Sequence, residues 1–285
     1  MTNILQYPMM DPAMKTGDHQ MIKLDLEKPV RNMNLERLLE SFDPISLEEM
    51  GGVKLLNRVD TKYILPSHIL PSIFRSLKSE YRVLTIHGVR LNHYRTLYFD
   101  TPDFRLFNLH VNGNAERYKV RAREYMDSQE SFLEVKHKTH KDRTIKQRIS
   151  TDHPVSCVIT EFEDWLEGVF PFDPDSLEAK TWNTFTRVTL VNRGRCERVT
   201  LDMDIQFFNH DHSTILDRIA VAEVKMDGQN CVSPFKIQMR NRHIHPLGFS
   251  KYCIGTALLY SQVKKNAMKS KLLWIEKISK GAIHE

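Results

Sequence analysis

Cysteine is scarce in this chain. There are four in 285 residues (Cys157, Cys196, Cys231 and Cys253), and no Cys-x-x-Cys pair among them. That spacing excludes a zinc ribbon or a disulfide framework and predicts a reducing, cytoplasmic setting. The N-terminal region has no apolar core of signal-peptide length. The longest apolar stretch, around residues 253–260, is too short and interrupted to cross a bilayer, so no membrane span is expected. Internal repeats and low-complexity tracts are lacking, and strands do not alternate with helices in a βαβ pattern, which argues against a doubly wound sheet. Nor is the charge extreme. Lys and Arg number 41 against 36 Asp and Glu, and a net +5 suits an anionic ligand without identifying one.

What the chain does have is charge in rows. Side chains alternate along a strand, so Arg117, Lys119, Arg121 and Arg123 share one face of the run at 117–125. Same-face neighbours stand about 7 Å apart and repel by about 2.4 kcal/mol at an effective dielectric of ~20. Four more runs behave alike: Glu134, Lys136 and Lys138; Lys146 and Arg148; Glu223 and Lys225; and Arg58, Asp60 and Lys62. One such strand is an ordinary wet face. Five strands with excess Lys and Arg, and carboxylates in the same rows, point to an anion.

The spacing predicts helices at 34–42 and 46–56, with Ser46 and Glu49 as a capping box. It also predicts helices from 67, at 155–166, at 233–242 and at 250–278, with Ser233 and Ser250 as N-caps. Strands are expected at 58–65, 93–100, 116–125, 131–139, 143–150, 184–191, 195–208 and 215–227. The class is α+β: an antiparallel, closed β-barrel of about eight strands with flanking helices, forming a tunnel. A lumen lined by these rows would take a chain of phosphates with a divalent cation. Arg grips phosphate bidentately and Lys acts as a mobile point charge. Glu134 and Glu223 are the candidate ligands for Mn²⁺ or Mg²⁺. Asp202 and Asp204 fall on one face and either join the metal or orient arginines. His210 and His212 read as a polar hairpin loop.

These pieces resemble the VTC family of polyphosphate polymerases, within the triphosphate tunnel metalloenzyme (CYTH-like) superfamily. The resemblance rests on Arg-Val-Asp-Thr-Lys-Tyr at 58–63, Tyr-Phe-Asp-Thr at 98–101, Lys-Val-Arg-Ala-Arg at 119–123 and Phe-Leu-Glu-Val-Lys-His-Lys at 132–138. It continues through Arg187, Leu-Asp-Met-Asp at 201–204, Ala-Glu-Val-Lys at 222–225 and Phe-Ser-Lys-Tyr at 249–252. It divides the chain into an arm and short helix at 1–44, a VTC-like tunnel domain at 45–262 and a helical extension at 263–285. Where the hydrolase and cyclase branch carries Glu-x-Glu-x-Lys, this chain has Arg58, Asp60 and Lys62, which leans away from hydrolysis of small triphosphates.

The resemblance implies an enzyme that transfers the γ-phosphate of ATP to a polyphosphate chain inside a basic tunnel. It assigns phosphate contacts to Lys62, Arg121, Arg123, Lys136, Arg187, Ser250 and Lys251, and a metal to Glu223. Arg58, Lys119, Lys138, Lys146, Arg148 and Lys225 complete the expected binding surface, with Glu134 as a second metal candidate. The expected partners are ATP and polyphosphate or triphosphate, with a membrane-protein partner left open. Nucleic acid is not expected, because Glu134 and Glu223 interrupt the rows and aromatic residues are not interleaved with the cations. The alternatives are a tripolyphosphatase or nucleoside triphosphatase on the same fold, or a module that only binds a polyanion such as polyphosphate or RNA.

Overall fold

A computed structural model describes residues 33–51, 58–141, 143–156, 160–227 and 232–281. In chain order these form α1 (Met33–Glu40), β1 (Pro44–Ile45), α2 (Leu47–Gly51), β2 (Arg58–Pro66), α3 (Leu70–Leu77), β3 (Tyr81–Leu84) and β4 (Asn92–Asp100). There follow α4 (Arg105–Val111), β5 (Arg117–Tyr125), β6 (Glu130–Lys138), β7 (Thr144–Thr151), α5 (Glu163–Val169), β8 (Glu178–Asn192) and β9 (Glu197–Phe208). The chain continues through β10 (Ser213–Ile215), β11 (Ile219–Asp227), α6 (Pro234–Asn241), α7 (Lys251–Leu259) and α8 (Lys269–Ser279).

The capping box forms as expected: Ser46 N–H donates to Glu49 Oε2 at 2.9 Å, and Glu49 N–H to Ser46 Oγ at 3.1 Å. The rest of the helix expected to 56 lies outside the described residues. Ser233 and Ser250 accept from the N–H groups of Lys236 and Cys253, starting α6 and α7. The long helix expected at 250–278 is broken, with α7 ending at Leu259 and α8 beginning at Lys269.

The strands form one sheet whose main path is β2-β11-β9-β8-β4-β5-β6-β7, with every neighbouring pair antiparallel. β10 returns on β9, and β3 pairs β8 while carrying the short parallel strand β1. The expected closed barrel is not observed. Among the described residues β2 and β7 end the path and are not paired with each other. A physical reason lies at the outer edge of β2, where Leu247 N–H donates to the Lys62 carbonyl at 2.8 Å and so occupies an edge acceptor. β7 has little apolar surface to bury by closing: Thr144 to Arg148 are all exposed.

The open sheet is nonetheless curled. Lys62 on β2 donates to the Phe249 carbonyl at 3.1 Å, and Lys119 on β5 donates to Ser250 Oγ at 3.1 Å. These strands are five places apart in the path, which in a flat sheet is about 24 Å. Adjacent residues reach both only if the sheet wraps around them.

Apolar packing sets both faces. Outside, Val188, Leu190, Leu201, Ala222 and Val224 pack with Phe74, Leu77 and Phe235 of α3 and α6. Beyond β5, Tyr118, Val120, Leu133 and Val135 pack against Leu166 of α5 and Phe162, the residue that precedes it. Inside, Ile64, Phe185, Phe207 and Val221 bury against Tyr252, Ile254 and Ala257 of α7. The approach of α7 to the sheet is close enough to require glycine: a Cβ on Gly255 would lie 2.5 Å from Phe207 Cδ1 and 2.9 Å from Thr181 Cγ2. α7 thus fills the apolar part of the concave face, and its N-terminus meets the charged part.

Candidate functional site

The charged part of the concave face is organised around three carboxylates. On β8 and β9, Arg187 opposes Asp202 in register and grips it twice, Nε to Oδ1 at 2.5 Å and a terminal nitrogen to Oδ2 at 2.8 Å. Lys251, the first residue of α7, pairs with the same carboxylate. Tyr94 and Phe185 pack under the Arg187 guanidinium at 5.0 and 5.1 Å. Burial works against the charge on Asp202, but Arg187 and Lys251 outweigh it and hold the group at about 2. Burial opposes the charge of Arg187 as well, yet Asp202 raises its pKa further.

The second cluster lies on β5, β6 and β7. Arg121 opposes Glu134 in register and donates from Nε to Oε2 at 2.6 Å, while Lys146 pairs with the other oxygen. Glu134 is 1% exposed. Burial would raise its pKa, but Arg121, Arg123 and Lys146 bring it down to about 2. Arg123 donates to Thr96 Oγ1 at 3.3 Å beside Tyr94. The third cluster is on β2 and β11. Glu223 takes Lys62 at 3.3 Å and Lys225 at 2.5 Å, and Lys225 also reaches Asp60 at 3.4 Å. Burial again opposes ionisation, and the two lysines push the Glu223 pKa well below the usual carboxylate range.

Beside these clusters is a cavity of about 270 Å³ whose described lining carries no carboxylate. Arg117, Lys119, Lys136 and Lys138 line it from β5 and β6, with Ser250 at the start of α7 and Lys271 on α8. Withdrawal from water, reinforced by neighbouring cations, lowers the ammonium groups of Lys119 and Lys136 to about 8. Lys251 falls to about 8 too, because burial and the nearby Arg187 outweigh its partner Asp202.

The structure therefore gathers Lys62, Lys119, Arg121, Arg123, Lys136, Lys138, Lys146, Arg187, Lys225, Ser250 and Lys251 along one concave face with Glu134 and Glu223. Arg148, at the exposed edge strand, instead stacks its guanidinium over Phe132 at 4.3 Å. Arg58 begins β2, and its side chain lies outside the described residues. Asp204 does not share the face of Asp202: a register shift in the β8–β9 ladder and a positive φ of 53° turn it out to solvent. His210 and His212 are exposed in the β9–β10 hairpin, as expected.

Two titratable cavity residues escaped the sequence reading. His110 on α4 hydrogen-bonds the Tyr118 carbonyl at 3.2 Å, and burial, aided by Lys119 and Arg117, lowers its pKa to about 2, so it is neutral. Lys271 was hidden by reading 250–278 as one helix. A lysine-rich segment from 264 to 271 was the available signal.

A curled antiparallel sheet with cation–carboxylate clusters and a basic cavity on its inner face defines the class: an α+β protein with a cationic groove. The chain belongs to the VTC domain family, whose model matches residues 57–260. No curated protein matches it. Similar solved structures include a candidate adenylate cyclase from Vibrio parahaemolyticus, 16% identical, with 70% of this chain and 99% of that one covered and a TM-score of 0.41. A candidate adenylate cyclase from Bacillus halodurans is 13% identical over 68% and 94% of the two chains, with a TM-score of 0.44. A Hippeastrum candidate adenylyl cyclase with a dominant triphosphatase activity is 13% identical over 72% and 98%, with a TM-score of 0.37.

Proposed function

We propose that this protein is an ATP:polyphosphate phosphotransferase that lengthens a phosphate chain in its cationic groove. The observation that carries this reading is the row on β5. Arg117, Lys119, Arg121 and Arg123 run along one face for about 20 Å, farther than the three phosphates of a nucleotide reach. The row begins among carboxylate-held arginines and ends in the carboxylate-free cavity. An extended polyanion matches that gradient better than a small triphosphate does.

In the reaction, a terminal oxygen of the chain attacks Pγ of ATP in line. The bond from Pγ to the bridging oxygen breaks, ADP leaves with the electron pair, and the chain is one phosphate longer. Such a transfer needs positioning and charge stabilisation more than a protein nucleophile. Asp202 fixes the Arg187 guanidinium and Glu134 fixes that of Arg121, so neither must reorganise as charge develops on the phosphoryl oxygens. Lys62, Lys136 and Lys251 neutralise donor and acceptor. Ser250 offers its hydroxyl beside Lys119.

A divalent ion, Mn²⁺ or Mg²⁺, suits Glu223, which is ionised and whose side chain is 20% exposed. Among the described residues no group of three His, Cys, Asp or Glu side chains converges. An ion held by Glu223 would take most of its ligands from phosphate and water, as Mg²⁺ does beside one or two carboxylates. Bound there, it would supply further neutralisation of phosphoryl charge. Glu134, closed between Arg121 and Lys146, offers such an ion less room.

The test is product analysis. Supplied with ATP, Mn²⁺ or Mg²⁺ and a short polyphosphate primer, the protein yields ADP and longer polymer. Orthophosphate without lengthening would make it a triphosphatase instead, and binding without turnover a polyanion-binding module.

A further inference from the structure

The cavity under Ser250 is built differently from the carboxylate-held clusters. Register places Arg117 opposite Lys138 and Lys119 opposite Lys136, so cations face cations across the β5–β6 ladder. Like charges directly opposite destabilise a sheet. Among the described residues no carboxylate lines this cavity, and neither Lys136 nor Lys271 has an ion pair. Lys271 adds a further cation from a separate element, beyond the residues 57–260 that match the family model. That element is firmly seated: Ile275 and Ile278 of α8 are buried in the core shared with α7. A lysine held by a docked helix over facing cation pairs is placed to meet an anion, not to solubilise a tail.

We propose that Lys271 reads chain length, by holding phosphates that extend past the arginine clusters into the outer end of the cavity. This rests on the polyphosphate reading above. Neither Arg121 nor Arg123 lines the cavity, whereas Arg117 and Lys138 do, so the cavity lies at the far end of the β5 row from those arginines. A tripolyphosphate seated at the arginines stops short of Lys271, and a long chain passes it. With no carboxylate in the described lining, this outer contact requires no metal.

The experiment is equilibrium binding of tripolyphosphate and of long-chain polyphosphate to the full chain, in excess chelator. For Lys271→Glu, the ratio of long-chain to tripolyphosphate affinity falls about fivefold. Lys271→Gln lowers it less, and Lys271→Arg keeps it. Lys277→Glu is the control: it makes the same charge change on an exposed lysine of the same helix that does not line the cavity. An unchanged ratio in folded Lys271→Glu, or an equal fall in Lys277→Glu, would overturn the proposal. Wild-type protein that binds neither anion would instead overturn the polyphosphate reading on which it stands.

Discussion

Arg187 and Asp202 sit opposite one another on β8 and β9 and are joined by two hydrogen bonds, with Lys251 of α7 sharing the carboxylate. Asp202 is 4% exposed, so its charge persists only because both cations are there. Removing one partner of such a buried pair strands the other. Asp202→Ala should destabilise the fold by about 3 kcal/mol, measured by urea denaturation. A loss within the scatter of surface substitutions would mean that Arg187 and Lys251 find other partners.

Arg121 has a structural partner in Glu134 and, on the present reading, a chemical one in phosphate. Arg121→Ala should slow chain lengthening by about 100-fold or more, the cost of losing one preorganised donor. Arg121→Lys should not rescue it, because an ammonium lacks the planar fork. Primed synthesis assays read both variants, and wild-type rates in Arg121→Ala would contradict the assignment.

Lys119, Lys136 and Lys251 each titrate near 8, below the ordinary 10.5. Between those values the unfolded chain holds protons that the folded, ligand-free protein has released. Stability from these groups therefore rises with pH across that window, and below 8 their charge costs the empty fold stability. An anion in the groove reverses this by favouring the protonated forms. Tripolyphosphate should raise the melting temperature most below pH 8 and progressively less above it. Titration calorimetry near pH 8 in buffers of different ionisation enthalpy should show proton uptake on binding. A stabilisation independent of pH would place these lysines away from the ligand.

Gly255→Ala tests how α7 delivers its N-terminus. The added methyl meets Phe207 and Thr181 inside van der Waals contact, and overpacking of this kind costs about 1–3 kcal/mol. Backing α7 away from the sheet also moves Ser250 and Lys251. Thermal melts and tripolyphosphate affinity should fall together, and a stability loss with unchanged affinity would separate the helix from the site.

The charged rows were legible because strand alternation is local: Arg117 to Arg123 needed only a period of two, and β5 keeps it. The capping box and the Ser250 cap were readable for the same reason. α4 was not. Its N-cap residue, Phe104, offers no capping side chain and adopts a left-handed φ of 58°. It is held instead by Asp100 at the end of β4, whose carboxylate accepts from Leu106 N–H at 2.8 Å and Phe107 N–H at 3.0 Å. Such a contact has no periodic signature. Closure of the sheet was also beyond reach, because it depended on whether β2 kept a free edge, and the Leu247 N–H that occupies it is 185 residues away along the chain. Likewise Asp202 and Asp204 alternate correctly on paper, and a bulge undoes the pairing.

The curl around Phe249 and Ser250 has a mechanical consequence. A barrel sealed by a continuous ladder is a hoop that admits a polymer only by threading from an end. Here the bend is held by two lysine tethers to a loop, Lys62 to the Phe249 carbonyl and Lys119 to Ser250. Releasing those tethers breaks no strand–strand hydrogen bond, so on the polyphosphate reading the groove should accept a chain from the side and not only by threading from an end.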